Sequence, residues 1–258
     1  LAGHPAGKLV IQPFAPEKIS GIDLLFASLP TGMSKAPLAK VAKDIRIVDV
    51  GGDHRFVEGW TYGLTELPGQ RARIRGTTRL ANPGCYPAAS LLALMPLVKE
   101  GLVEPEGIVI DAKSGVTGTG RGGASDFGYA ETNEDLFAYG LEAHPHVPEM
   151  EQALAQVGGK PATIAFTPHL VPMTRGILAT CYARPKGSVD ARRLYAAAEA
   201  CYRDEPFVVV SESSPSTKAT LGSNTARTCS IVLHNSTSCA GKARRLPARR
   251  GLTISSAG

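Results

Sequence analysis

The sequence predicts an α/β chain in two parts: a parallel α/β part, then an α+β part with an antiparallel sheet. Residues 22–50 run strand, helix, strand in fewer than 30 residues, a βαβ unit whose strands must pair in parallel. Beyond residue 160, three apolar segments are separated by turns more than by helices, which is the habit of antiparallel sheets.

In chain order, "IDLLFAS" (22–28) reads as a buried strand and "SKAPLAKVAK" (34–43) as a short helix capped by Ser34. "IRIVDV" (45–50) is the next strand. The loops "LPTGMS" and "GGDHRF" follow the two strands at their C-terminal ends, where open α/β sheets bind ligands. Residues 87–99 read as a helix with Pro87 at an early position, where a missing N–H costs nothing, and Pro96 as a kink or an early end. "GIVIDA" (107–112) is a strand, followed by the Gly-rich loop "KSGVTGTGRGG" (113–123). Residues 148–157 read as a helix with Pro148 and Glu149 in its first turn. Segments 162–172, 175–185 and 207–213 read as strands, with one helix at 190–203. From about residue 225 the chain is rich in Ser, Thr and Arg and keeps no sustained period beyond "SIVLH", so it is expected to be a disordered basic tail, or a divergent or frame-shifted end.

A chain of 258 residues that is 43% hydrophobic can bury a sizeable core in one or two domains. The best apolar runs are broken by Gly, Pro or charge, so neither a membrane span nor a membrane partner is expected. The opening "LAGHPAGKLV" shows neither an initiator Met nor a signal-peptide core, and a cytoplasmic protein is the expectation. Five cysteines (Cys85, Cys181, Cys201, Cys229, Cys239) at wide spacing, without a C-x-x-C, fit a reducing compartment better than disulfides or structural zinc. The net charge of +5 comes from one end of the chain. Seven of the 28 basic residues lie beyond residue 212 and none of the 23 acidic ones does, so residues 1–212 carry a net charge of −2. A nucleic-acid partner would rest on the tail alone and is not expected.

"NPGCYPAAS" (82–90) places Cys85 in a turn just before an apolar helix. A thiol of ordinary pKa, roughly 8.5, needs help to ionise near neutral pH, and a helix start offers free N–H groups and the positive end of the dipole. Gly84 permits close approach, and Asn82 carries an amide able to donate to an oxyanion. The alternative is a small packed thiol, which is the expectation for Cys181 and Cys201. Acid/base candidates are His144 and His146 in "EAHPHVPEM", whereas His169 reads equally as a hydrogen-bonded structural histidine. No third ligand accompanies the His-x-His pair, so no metal is expected. Anion-binding candidates are Lys113, Ser114, Arg121 and Arg175, the Gly-rich loop being able to form a nest of N–H groups.

These motifs, in order, resemble a known family. "NPGCYP" before an apolar helix resembles the active-site signature of the N-acetyl-gamma-glutamyl-phosphate reductases. "ASLPTGMS" resembles their "ALPHGxS" cofactor loop, "VDVGGDHRF" resembles "xDxSxDFR", and "KSGVTGTGR" resembles "SGxSGAGR". "HPHVPE" resembles "HRHxPE", while "PHLVPMTRGI" and "STKATLGSN" are near-verbatim. The resemblance runs from about residue 1 to Asn224.

The resemblance implies a Rossmann-type NADP domain over residues 1–84 and an α+β catalytic and dimerisation domain over 85–224 like that of the glyceraldehyde-3-phosphate dehydrogenases, with 225–258 as an atypical tail. It implies NADP as cofactor, an acyl phosphate as small-molecule substrate and a homo-oligomer, dimer or tetramer. By motif, Cys85 would be the nucleophile, His144 the acid/base and Asn82 the oxyanion donor. Ser28, Pro30 and Gly32 would approach the cofactor, as would Ser114, Gly115 and Gly118, with Arg121, His146 and Arg175 on the substrate or its phosphate. Against the family pattern, the opening strand with its G-x-x-G-x-x-G turn and the C-terminal Gly-rich helix are not found in this sequence. Thr31 stands where His is usual, Ala88 where Thr is, and Pro145 where Arg is. Three other readings stay open: the lysine-pathway reductase of an aminoadipyl phosphate, a cofactor-free cysteine hydrolase or acyltransferase, and a fragment that no longer binds NADP.

Overall fold

The computed structural model describes residues 5–8, 10–120, 128–230 and the backbone of 252–256. The chain forms two compact units, one from residues 1–63 and 73–82 and the other from 64–72 and 83–258.

The elements of the first part are β1 (Leu24–Ala27), α1 (Lys35–Leu38), β2 (Arg46–Asp49), β3 (Thr61–Tyr62), α2 (Gln70–Gly76) and β4 (Arg79–Ala81). The four strands form one sheet in the order β1-β2-β4-β3, and every pair in it is parallel. The βαβ unit expected from residues 22–50 is present, with β1 and β2 in register from Leu24 opposite Arg46 to Ala27 opposite Asp49. Ala27, Leu38, Val41, Ile45 and Ile47 make the core of this unit, with Trp60 packed against it. Helix α1 is a single turn rather than a helix over 34–43, and Ser34 does not cap it with its side chain. That hydroxyl is engaged by two carboxylates, described below.

The second unit carries α3 (Cys85–Lys99), β5 (Ile108–Ser114), α4 (Tyr129–Thr132), β6 (Phe137–Ala138), α5 (His146–Gly158), β7 (Ile164–Leu170) and β8 (Ile177–Tyr182). It continues with α6 (Ala191–Tyr202), β9 (Val208–Val210), β10 (Ala226–Cys229) and β11 (Leu252–Ser256). Seven strands form one sheet in the order β6-β7-β5-β8-β11-β10-β9. It is mixed rather than purely antiparallel: β5 pairs with β7, and β9 with β10, in parallel, and the remaining pairs are antiparallel. Two of the strands fall where a tail without regular structure is expected. β11 inserts between β8 and β10, pairing Leu252 with Cys181 and Ala226 with Ser256. The basic residues Lys242, Arg244, Arg245, Arg249 and Arg250 lie outside the described residues.

Helix α3 is buried nearly all round and packs against α5, α6, β8, β10 and β11, so it is the core element of this unit. Leu91, Leu94 and Met95 are 0% exposed, and burying side chains of this size contributes roughly 1.5–3 kcal/mol each. The helix begins at Cys85, two residues earlier than the sequence suggests, and Pro87 falls at its third position, where no intrahelical N–H bond exists. Pro96 neither ends nor caps it. The missing N–H of Pro96 would have served the carbonyl of Leu92, and the Tyr202 hydroxyl donates to that carbonyl instead, at 2.7 Å. Among the described residues, no helix is long and apolar enough to cross a membrane.

Candidate active site

Gly84 is the N-cap of α3 and Cys85 is its first residue, exposed, at the positive end of a 15-residue helix. The turn is gripped from α5. The N–H of Gly84 donates to Glu149 Oε1 at 2.8 Å, and Glu149 is only 4% exposed. A buried carboxylate is tolerated there because it sits in the first turn of α5 and accepts a backbone donor. A Cβ on Gly84 would stand 2.5 Å from His146 Nε2 and 2.9 Å from Glu149 Oε2. The glycine is thus required by close approach rather than by its φ of −65°.

The two histidines of "HPHVPE" share this site. Helix α5 starts at His146 instead of Pro148, so His146 lies in its first turn. Its backbone N–H donates to His144 Nδ1 at 3.2 Å. A neutral imidazole has one proton, so with Nδ1 accepting, the His144 proton sits on Nε2. Burial holds the His144 pKa below its ordinary value and favours that neutral ring. Tyr86 and Phe166 form the apolar wall, their rings edge-on to one another with centroids 5.2 Å apart and each edge-on to His144, at 5.9 Å and 5.0 Å. The Tyr86 and Tyr139 hydroxyls are 2.8 Å apart. Burial, then the Tyr139 hydroxyl, push the Tyr86 phenol far above its ordinary pKa; burial raises Tyr139 too, and negative charge on Cys85 adds to both. Both phenols therefore stay protonated as donors. A cavity of about 760 Å³ opens on the His144 side, lined among others by Leu141, Glu142, His144, Phe166 and Thr167.

Ser114 ends β5 with its side chain buried, and the following loop is zipped to residues 171–176. The N–H groups of Gly115, Val116 and Thr117 donate to the carbonyls of Gly176, Met173 and Thr174 at 3.0–3.2 Å. Those of Gly118 and Gly120 donate within the loop. The expected N–H nest is therefore not offered over 115–120, since these donors are already committed to protein carbonyls. A Cβ on Gly115 would meet Arg175 N and Met173 O at 2.8 Å, so the backbone of Arg175 is brought against this loop. Arg121 lies outside the described residues. Lys113 alternates to the opposite face of the sheet, where it pairs with Asp111 at 2.7 Å. His169 also pairs with Asp111, at 3.1 Å, which fits its structural reading.

In the first unit, Ser28, Pro30 and Gly32 lie in the loop after β1, closed by a Met33 N–H to Pro30 carbonyl bond of 3.0 Å. Asn82 follows β4; its N–H donates to the Asp49 carbonyl at 2.8 Å and its carbonyl accepts from Arg55 Nε at 3.0 Å. These residues fit a dinucleotide. The loops after β1 and β2 lie beyond the carboxyl ends of adjacent parallel strands, and nothing stands within 4 Å of where a Cβ of Gly32 would be, which leaves its backbone approachable.

Two family models match the chain: the semialdehyde dehydrogenase NAD binding domain over residues 3–75 and the semialdehyde dehydrogenase dimerisation domain over residues 85–240. Among curated proteins, the chain is 52% identical over 227 residues to the N-acetyl-gamma-glutamyl-phosphate reductase of Bradyrhizobium sp. (strain ORS 278), covering 87% of this chain and 69% of that protein. It is 54% identical over 232 residues to the enzyme of the same name from Methylobacterium sp. (strain 4-46), with the same coverage. The chain belongs to the N-acetyl-gamma-glutamyl-phosphate reductase family. It spans about 69% of the length of these family members. Two solved structures share the fold. Aspartate semialdehyde dehydrogenase II from Vibrio cholerae has a TM-score of 0.69 at 12% identity, covering 95% of this chain and 76% of that one. A probable aspartate-semialdehyde dehydrogenase from Pseudomonas aeruginosa has a TM-score of 0.68 at 14% identity with the same coverage.

Sequence reasoning groups Cys85, His144 and His146; the structure sets His146 against Gly84, the residue before Cys85, and His144 edge-on to Tyr86, the residue after it, within one unit. It misses Glu149 as the anchor of the Gly84 turn, and Tyr86, Tyr139 and Phe166 as the wall. The signal available for Glu149 was an acidic residue in the first turn of a helix whose next residue, Met150, is apolar. Nothing local ties it to a glycine 65 residues away.

Proposed function

We propose that the chain catalyses the NADPH-dependent reduction of N-acetyl-glutamyl 5-phosphate to N-acetyl-glutamate 5-semialdehyde and phosphate, with Cys85 as nucleophile. The observation that carries this is the placement of Cys85, exposed at the first position of α3, on a turn held by Glu149 and closed against His146.

His146 takes the thiol proton, since its Nε2 edge lies against the residue before Cys85; this moves it from the phosphate-binding role that its motif suggests. The Cys85 thiolate attacks the acyl carbon, the carbon–oxygen bond to phosphate breaks, and phosphate leaves with the electron pair, which gives a thioester on Cys85. Bound NADPH supplies the hydride that takes the acyl group to the aldehyde level. The Asn82 amide, three residues before Cys85 in the chain, donates to the oxygen as it gains charge, together with N–H groups at the start of α3. His144 donates a hydrogen bond from Nε2 to that oxygen and keeps its proton; as the carbon–sulfur bond breaks the carbonyl re-forms, and the departing Cys85 thiolate takes the thiol proton back from His146. Arg175 and Arg121 are assigned to phosphate. Ser28, Pro30 and Gly32, with Ser114, Gly115 and Gly118, are assigned to the cofactor, the latter three through side chain and close approach.

The enzyme acts in the cytoplasm as a homo-oligomer. In support of self-association, the sheet face opposite α3 presents Val109 and Tyr182, paired across β5 and β8 and each 42% exposed. The function is tested in reverse, by NADPH formation from the semialdehyde, NADP and phosphate. Turnover is expected to need phosphate and to vanish in Cys85→Ala. Turnover that ignores phosphate, or that survives the substitution, would overturn the proposal.

A further inference from the structure

The carboxylate of Asp49, at the end of β2, is 0% exposed. Its Oδ1 accepts from the Gly51 N–H at 3.0 Å. Its Oδ2 lies 2.6 Å from His54 Nδ1 and 3.0 Å from Ser34 Oγ. The same Ser34 Oγ stands 2.9 Å from Asp53 Oδ2, whose carboxylate also accepts from the N–H groups of Gly32 and Ser34 at 2.5 and 2.8 Å. A hydroxyl has one proton, so Ser34 can donate to one of these carboxylates at a time. What lets it serve Asp53 is the second donor on Asp49 Oδ2, the His54 ring. That ring is held by stacking on Trp60, with centroids 3.8 Å apart and planes 22° from parallel. Asp53 then fastens the loop: burial opposes its charge, but the Gly32 and Ser34 N–H groups and the Ser34 hydroxyl outweigh it and hold its pKa below the ordinary value. Gly32, at φ +90°, is the residue whose backbone turns its N–H toward Asp53.

We infer that His54 is a positioning residue for the cofactor: by satisfying Asp49 it frees the Ser34 hydroxyl for Asp53, and so presets the Ser28–Ser34 loop in its binding shape. The inference rests on the function proposed above. The chain of contacts is internal to one unit and complete without a ligand, so the loop does not have to be ordered at the moment of binding. His54 is 6% exposed and reaches the loop through Asp49 and Ser34.

The test compares wild type with His54→Phe, which keeps a ring for Trp60 but removes the N–H, and with His54→Asn, whose amide N–H can stand where Nδ1–H does. Trp60 is the only tryptophan in the chain, so quenching of its emission on titration with NADP reports binding without turnover. His54→Phe is expected to raise the Kd and KM for NADP about tenfold, with kcat within about threefold and the KM for the semialdehyde within about twofold. His54→Asn is expected to recover most of the loss. Ser34→Ala, should His54→Phe not fold, is expected to raise the Kd for NADP about threefold. A folded His54→Phe or Ser34→Ala that binds NADP as wild type does would overturn the inference, as would a loss that Asn does not restore. If wild type turns over NADP, such a result leaves the proposed function standing; a wild type that binds no NADP overturns both.

Discussion

Cys85 and Cys181 belong to the same unit and meet opposite surroundings. Cys85 is exposed at the start of α3, where the positive end of the helix dipole favours negative charge. Cys181 is 1% exposed near the end of β8, between β5 and β11, and burial pushes its thiol up to about 12. One thiol is open to solvent at a helix start and the other is packed, so the position in the fold, not the residue type, sets how each can react.

The comparison can be broken most forcefully at Cys85 itself. Cys85→Ser is expected to lower kcat by at least about 10³-fold, since the proposed nucleophile is lost, while the unfolding free energy from denaturant titration changes by less than about 0.5 kcal/mol because the side chain is exposed. Alkylation with iodoacetamide, read by peptide mass spectrometry, is expected to label Cys85 at least about 100-fold faster than Cys181 in the folded chain, and both equally in denaturant. Gly84→Ala puts a Cβ 2.5 Å from His146 Nε2, so the turn or the histidine must shift; kcat/KM is expected to fall about 100-fold, with Cys85 still alkylated. Cys181→Ala is expected to cost about 1 kcal/mol of stability by denaturant unfolding and to leave kcat unchanged.

The smallest effect concerns His144. Its folded pKa is depressed, so the unfolded chain takes up the proton first as pH falls. The stability it contributes is present above its ordinary value of about 6.5 and is lost as pH falls through that value toward the folded pKa. His144→Gln is therefore expected to lose less Tm between pH 7 and pH 5 than wild type does.

Much of this site was legible in the sequence because its parts are local. A Gly before a Cys before an apolar run states a helix start with a thiol on it, and two histidines ahead of a helix state a cluster at its first turn. The βαβ unit was legible for the same reason, through period and turn residues over fewer than 30 positions. What escaped depends on distant partners. The Glu149–Gly84 bond joins residues 65 apart, and the fate of Ser34 was set by Asp53, 19 residues on, rather than by its own helix. Pro96 reads as a helix end until Tyr202 is seen to satisfy Leu92. β11 is five residues long and rich in Ser and Thr, and only its neighbours β8 and β10 make it a strand.

The most direct test of Cys85 as nucleophile is a burst experiment without phosphate. Semialdehyde and NADP alone should yield about one NADPH per active chain and then stall, with the acyl group found by mass spectrometry on the peptide that carries Cys85; adding phosphate should restart turnover. Steady turnover without phosphate, or an acyl group on any other residue, would contradict the account.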